Sequence, residues 1–181
     1  VTEQLSDWTH NVTDIPASGL DREREASESE RVAIADDLKL LKLDCLAARY
    51  RIKSLGHGSY RLSGKITAKV EQACIVSLDP VAGDIDAPFE VEFKPEVETP
   101  DNDEDASVLA GPDVDILERG VIPVGRIVFE TLSASLDPYP RRPGAEFTWQ
   151  DPRQVEPEET SPFAVLSQLK DKKEPSCGNR A

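Results

Sequence analysis

Tyr60-Arg61-Leu62-Ser63-Gly64-Lys65-Ile66-Thr67-Ala68-Lys69-Val70-Glu71 (residues 60–71) alternates in character without a break. Tyr60, Leu62, Gly64, Ile66, Ala68 and Val70 fall on one face, and Arg61, Ser63, Lys65, Thr67, Lys69 and Glu71 on the other. Successive side chains of a strand point to opposite faces, so this period predicts a half-buried strand of an antiparallel sheet. Immediately upstream, Tyr50 and Ile52 alternate with Arg49, Arg51 and Lys53 within a strand-like run over 40–55. Gly56-His57-Gly58 between the two runs reads as a turn, which makes them a hairpin. Its polar face then carries six cations, Arg49, Arg51, Lys53, Arg61, Lys65 and Lys69. Two readings stay open. Such a face can touch RNA phosphates locally, or it is a solvated surface opposite a core, neutralised by an acidic loop folding over it.

Working outward, Ile75 and Val76 are expected to continue the strand towards Asp79-Pro80. Phe89, Val91 and Phe93 alternate with Glu90, Glu92 and Lys94, a further strand over 88–94. Residues 27–38 read as a helix, capped by Ser27 or Ser29, with Val32, Ala35 and Leu38 as its apolar stripe. A second helix begins near Pro123 and places Val124, Ile127, Val128, Leu132 and Leu136 at helical spacing. Residues 5–16 read as a short extended segment ending at the Ser18-Gly19 turn. The expected class is α+β: an antiparallel sheet of four or more strands with helices packed on one side. A single domain is expected over 1–149, with a disordered acidic loop near 96–112. Residues 150–181 are read as a flexible linker and short helical tail. Pro162, Phe163, Leu166 and Leu169 mark that tail as a docking peptide, or as a segment that packs back on its own sheet.

Charge is the most informative bulk property. The chain of 181 residues has 35 acids against 21 bases, a net charge of −14. The basic run over 39–77 lies between acidic runs over 1–38 and 78–118. A protein that coats RNA neutralises phosphates with cations, so the overall balance argues against that class. An acidic surface suits a basic client such as a ribosomal protein, although acidity also serves solubility alone. No apolar run approaches the roughly 20 residues that cross a bilayer. The opening residues lack the basic start and apolar stretch of a signal peptide. Three widely spaced cysteines, Cys45, Cys74 and Cys177, fit reduced thiols better than a disulfide scaffold. Together these place the chain in the cytoplasm.

Catalytic signatures are few. The string Asp101-Asn102-Asp103-Glu104-Asp105 fails as a calcium loop, because Ala106 and Pro112 stand where Gly and a bidentate Glu are needed. His10 and His57 are the only histidines, and neither sits in a nucleophile signature. No phosphate-binding glycine loop is present. The expectation is therefore no enzyme. A ribonuclease or RNA-modifying activity is the alternative, and it needs carboxylates such as Glu71, Glu90 and Glu130 to converge in a cleft.

One resemblance rests on an ordered set of segments. These are residues 64–76 (GKITAKVEQACIV) followed by Asp79-Pro80, a strand, an acidic loop and the helix over 126–136. Asp137-Pro138-Tyr139-Pro140 and the closing Ser161-Pro162-Phe163-Ala164-Val165-Leu166 complete the set. In this order they resemble the YceD family, the large ribosomal RNA subunit accumulation proteins. Arg141-Arg142-Pro143-Gly144-Ala145-Glu146 is similar to its alphaproteobacterial branch. The resemblance implies a ribosome biogenesis factor that supports accumulation or processing of 23S rRNA. Such a factor would bind a basic large-subunit ribosomal protein, an assembly factor or 23S rRNA itself. Many members carry Cys-x-x-Cys at the strand end, which would bind metal together with a later Cys or His. Here Cys74 keeps the first position and Ser77 takes the second. Zinc asks for about four N or S ligands, so no metal and no cofactor are expected, and Cys74 is read as a small core residue.

Overall fold

A computed structural model describes residues 5–95 and 113–147, and the elements below belong to the unit Val1–Ala145. The acidic segment over 96–112 and the tail over 150–181, with Pro162, Phe163, Leu166 and Leu169, lie outside the described residues.

In chain order the elements are β1 (His10–Asn11), β2 (Leu20–Glu25), α1 (Glu28–Asp37), β3 (Lys42–Gly56), β4 (Ser59–Ala73), β5 (Pro80–Pro95), β6 (Asp113–Leu117), β7 (Val121–Ile122) and α2 (Val124–Ser135). Strands β2-β3-β4-β5-β6 form one sheet in that order. Its first four strands pair antiparallel, whereas β6 runs parallel to β5. The expected antiparallel sheet of four strands is present, and a fifth, parallel strand adds to its edge. A parallel neighbour requires a crossover of a dozen or more residues, and the segment over 96–112 is long enough to supply it. The short pair β1-β7 stands apart from the main sheet.

The period-two pattern of β4 becomes a buried face and an open one. Leu62, Ile66, Ala68 and Val70 are buried together with Leu46, Ala48, Tyr50 and Ile52 of β3 and Phe89, Val91 and Phe93 of β5. A bulge between Leu43 and Cys45 shifts the phase of β3, so Leu43 and Leu46 both face inward. Gly64 interrupts the apolar row for a steric reason. A Cβ there would lie 2.5 Å from the Arg49 carbonyl oxygen and 2.8 Å from Tyr50 Cβ. Tyr50, opposite in register, packs where a larger residue would stand.

Both helices cover the inner face, α1 over β3 and α2 over β4 and β5. Helix α1 starts at a capping box. The Ser27 hydroxyl accepts from the Glu30 N–H and the Glu30 carboxylate accepts from the Ser27 N–H. Its apolar stripe differs from expectation: Ile34 is fully buried, with Ala35 and Leu38 packed against the core, while Val32 is 65% exposed. At about 100° per residue Val32 lies on the opposite side of the helix from Ile34. Helix α2 keeps the expected stripe, with Val124, Ile127, Val128 and Leu132 buried. The N-terminal segment is fixed beside α2 by the Gly125 N–H, which donates to the Trp8 carbonyl at 2.9 Å.

Two strand limits move. Strand β5 begins at Pro80, well before the expected Pro88. Strand β4 stops at Ala73, so Ile75 and Val76 do not continue it. The chain turns there because the Leu78 N–H returns to the Cys74 carbonyl at 2.9 Å, with Leu78 at φ 61.

Candidate functional site

The open face of the sheet brings all six predicted cations together as side chains alternating with buried ones. Register makes the arrangement unusual. Arg49 stands directly opposite Lys65, and Lys53 opposite Arg61. Like charges facing across strands are destabilising, and the flanking strands relieve it.

Arg49 Nη2 lies 3.1 Å from Glu23 of β2, and Arg51 Nε 3.7 Å from Asp21. On the other flank, Lys65 Nζ lies 2.8 Å from Asp86 of β5. Arg61 Nε is 3.2 Å from Glu92 and 3.3 Å from Glu90. The face is thus ordered by strand: acids on β2, bases on β3 and β4, acids on β5. Lys53 and Lys69 make no ion pair among the described residues. Exposed pairs of this kind contribute about 0.2–1 kcal/mol each. They fix the charge pattern more than the fold.

The acidic loop expected to neutralise this face lies outside the described residues, and the acids found beside the cations stand on the adjacent strands. Their signal was present in Leu20-Asp21-Arg22-Glu23-Arg24-Glu25, which alternates in charge but has almost no apolar face. A strand at a sheet edge needs little apolar content, so apolar periodicity alone misses it.

Strand β5 has a second feature. Strand β6 pairs only with Val91–Pro95 of β5, so among the described residues 80–90 have β4 on one side and no strand on the other. At 88–91 of β5 lies a groove of about 420 Å³, lined in part by Phe89, Glu90, Asp113, Ile127, Glu130 and Thr131. Glu90 and Glu130, two of the three candidate catalytic carboxylates, line it. Glu71 lies elsewhere, opposite Lys42 and Ala82 near the far end of β4. Arg126 of α2 pairs with Asp115 and lies 3.8 Å from Glu130.

At the corner after β4, Cys74 is fully buried. The Arg142 N–H donates to its Sγ at 3.4 Å and the Val76 N–H at 3.5 Å. These donors, with the Ser77 hydroxyl and N–H, hold the thiol down to about 6, against the opposing effect of burial. Arg142 Nη1 bonds Asp79 at 2.8 Å, and this bond, with one from the Ser77 hydroxyl, keeps that carboxyl below its usual range. Among the described residues no group of three or more His, Cys, Asp or Glu is placed to hold a metal, and hydrogen bonds to one sulfur knit the turn. Of the two histidines, His10 Nε2 bonds Tyr50 Oη at 2.7 Å, and His57 occupies the β3–β4 turn at φ 52.

Fold and face together define an acidic α+β protein. One side of its sheet is closed by two helices, and the other, open among the described residues, is ordered by charge. No helix among the described residues is long and apolar enough to cross a membrane. Residues 62–170 match the family model described as large ribosomal RNA subunit accumulation protein YceD. That match spans more than half of the chain, and the chain belongs to the YceD family. No curated protein and no solved structure matches it.

Proposed function

We propose that this chain supports accumulation of large-subunit ribosomal RNA in the cytoplasm by binding rather than by chemistry. It holds a basic ribosomal protein or assembly factor through acidic surface until that partner docks on rRNA. The observation that carries this reading is the engagement of Arg49, Arg51, Arg61 and Lys65 with carboxylates of β2 and β5. A phosphate backbone would have to displace those carboxylates, whereas a cationic partner meets an excess of acid. Direct contact with rRNA is the second reading, favoured by Lys53 and Lys69, which make no ion pair among the described residues. The catalytic alternative draws only on Glu90 and Glu130, which share a groove with no cation in its lining.

The test is affinity purification of the tagged chain from growing cells at low and moderate salt, with mass spectrometry and RNA sequencing. Large-subunit proteins are expected to co-purify after ribonuclease treatment and to be lost as salt rises. Recovery of precursor RNA that vanishes together with every protein after ribonuclease treatment would favour the second reading. Recovery of neither at low salt would end both.

A further inference from the structure

We infer that the second edge of β5 over 80–90, which no strand pairs among the described residues, is a docking edge for a basic, extended polypeptide segment. That segment adds to the sheet as a further strand. The inference rests on the reading that the partner is a basic protein, and it names the surface and the conformation.

Three observations converge. Along 80–90 the second edge of β5 has no strand among the described residues, and a sheet edge with unpaired backbone groups is a template for an added strand. Side chains alternate along it: Asp84, Asp86 and Glu90 stand on the open face, and Ile85, Ala87 and Phe89 on the core side. Across the groove α2 presents Thr131, Ala134 and Ser135, small enough to leave room for the side chains of an incoming strand. A segment alternating cationic and apolar residues would match both sides at once. Its cations would face the carboxylates and its apolar residues would lie over Ile85, Ala87 and Phe89.

Charge selects the occupant. The lining of the groove contains Glu90, Asp113 and Glu130 and no Lys or Arg. Asp84 and Asp113 make no ion pair among the described residues. Acids on an edge discourage pairing with a second copy of the same edge, since acid would then face acid. The same acids attract a cationic strand.

The probe is a short synthetic peptide alternating Lys with Val or Thr, with the Glu-for-Lys peptide as control, added to the full chain. Hydrogen exchange is expected to slow at backbone amides within 82–90 with the Lys peptide and not with the control. The double variant Asp84→Lys/Asp113→Lys, both sites exposed, should keep the wild-type circular dichroism and bind about tenfold more weakly. Unchanged affinity in that variant overturns the proposal, as does protection confined to the open face of β3 and β4. So does equal protection of 82–90 by an RNA oligonucleotide. Protection already present in the peptide-free chain, and released by deleting residues 148–181, would assign the edge to the chain's own tail and also overturn it. In cells, equal retrieval of large-subunit proteins by variant and wild type defeats the edge while the binding reading stands. Retrieval by neither, with the Lys peptide still docking at 82–90, defeats the reading and leaves the edge.

Discussion

His10 shows how one residue acquires a physical role from its neighbours. Its ring meets the Tyr50 hydroxyl at 2.7 Å on the inner side of the sheet. Burial first, and then the positive charges of Arg24 and Arg22, lower its pKa from 6.5, with Asp14 opposing. The folded state therefore prefers the neutral ring, and the unfolded chain takes up a proton more readily. Stability from this site is present above pH 6.5 and is lost as pH falls through the lower folded value. In the variant His10→Gln, which does not titrate, the loss of stability between about pH 6.5 and pH 5 should be smaller than in wild type. Urea midpoints at both pH values measure it, and an identical slope would remove the assigned role. The sequence offered His10 only as a histidine near one end, because its partner is 40 positions away and came near through the β3 register.

Among the elements, β4 was the most legible, whereas α1 showed its extent in the sequence but not its buried face. Strict alternation over 60–71 survives intact because, among the described residues, that strand is covered on one face only. Helix α1 spans Glu28–Asp37 and has one fully buried side chain, so several stripes fitted its sequence equally well. Packing chose Ile34 over Val32. Ile34→Ala should cost about 2–4 kcal/mol through lost burial and the cavity left behind. Val32→Ala should change stability by less than about 0.5 kcal/mol. Chemical denaturation of both variants checks this, and equal losses would mean that the helix is rotated from the orientation described. The first half of β5 escaped detection for a related reason. Its inward residues Val81, Gly83, Ile85 and Ala87 are small or only partly buried, so 80–87 lacks the strong apolar period of 89–93.

For the whole molecule, the question is whether the cations of the open face serve RNA or merely balance their flanks. Replacing Arg49, Arg51, Arg61 and Lys65 together with Gln removes five ion pairs, at about 0.2–1 kcal/mol each. The protein should stay folded, because the inner apolar face and the strand ladders are untouched. Retrieval of large-subunit proteins should persist, and survive to higher salt, as the net charge becomes more negative. Their loss together with RNA would show that the cations themselves make the contact. By itself the sequence determined the α+β class, the β3–β4 hairpin, helix α2, the side on which six cations stand and the family resemblance. Each follows from local period, turn chemistry or motif order, which are properties of neighbouring residues. Only the tertiary structure decided that Asp21, Glu23, Asp86, Glu90 and Glu92 flank those cations, that β6 runs parallel, and that, among the described residues, 80–90 of β5 has a strand on one side only. Those outcomes depend on which strands meet and in what register, and long-range burial sets that choice.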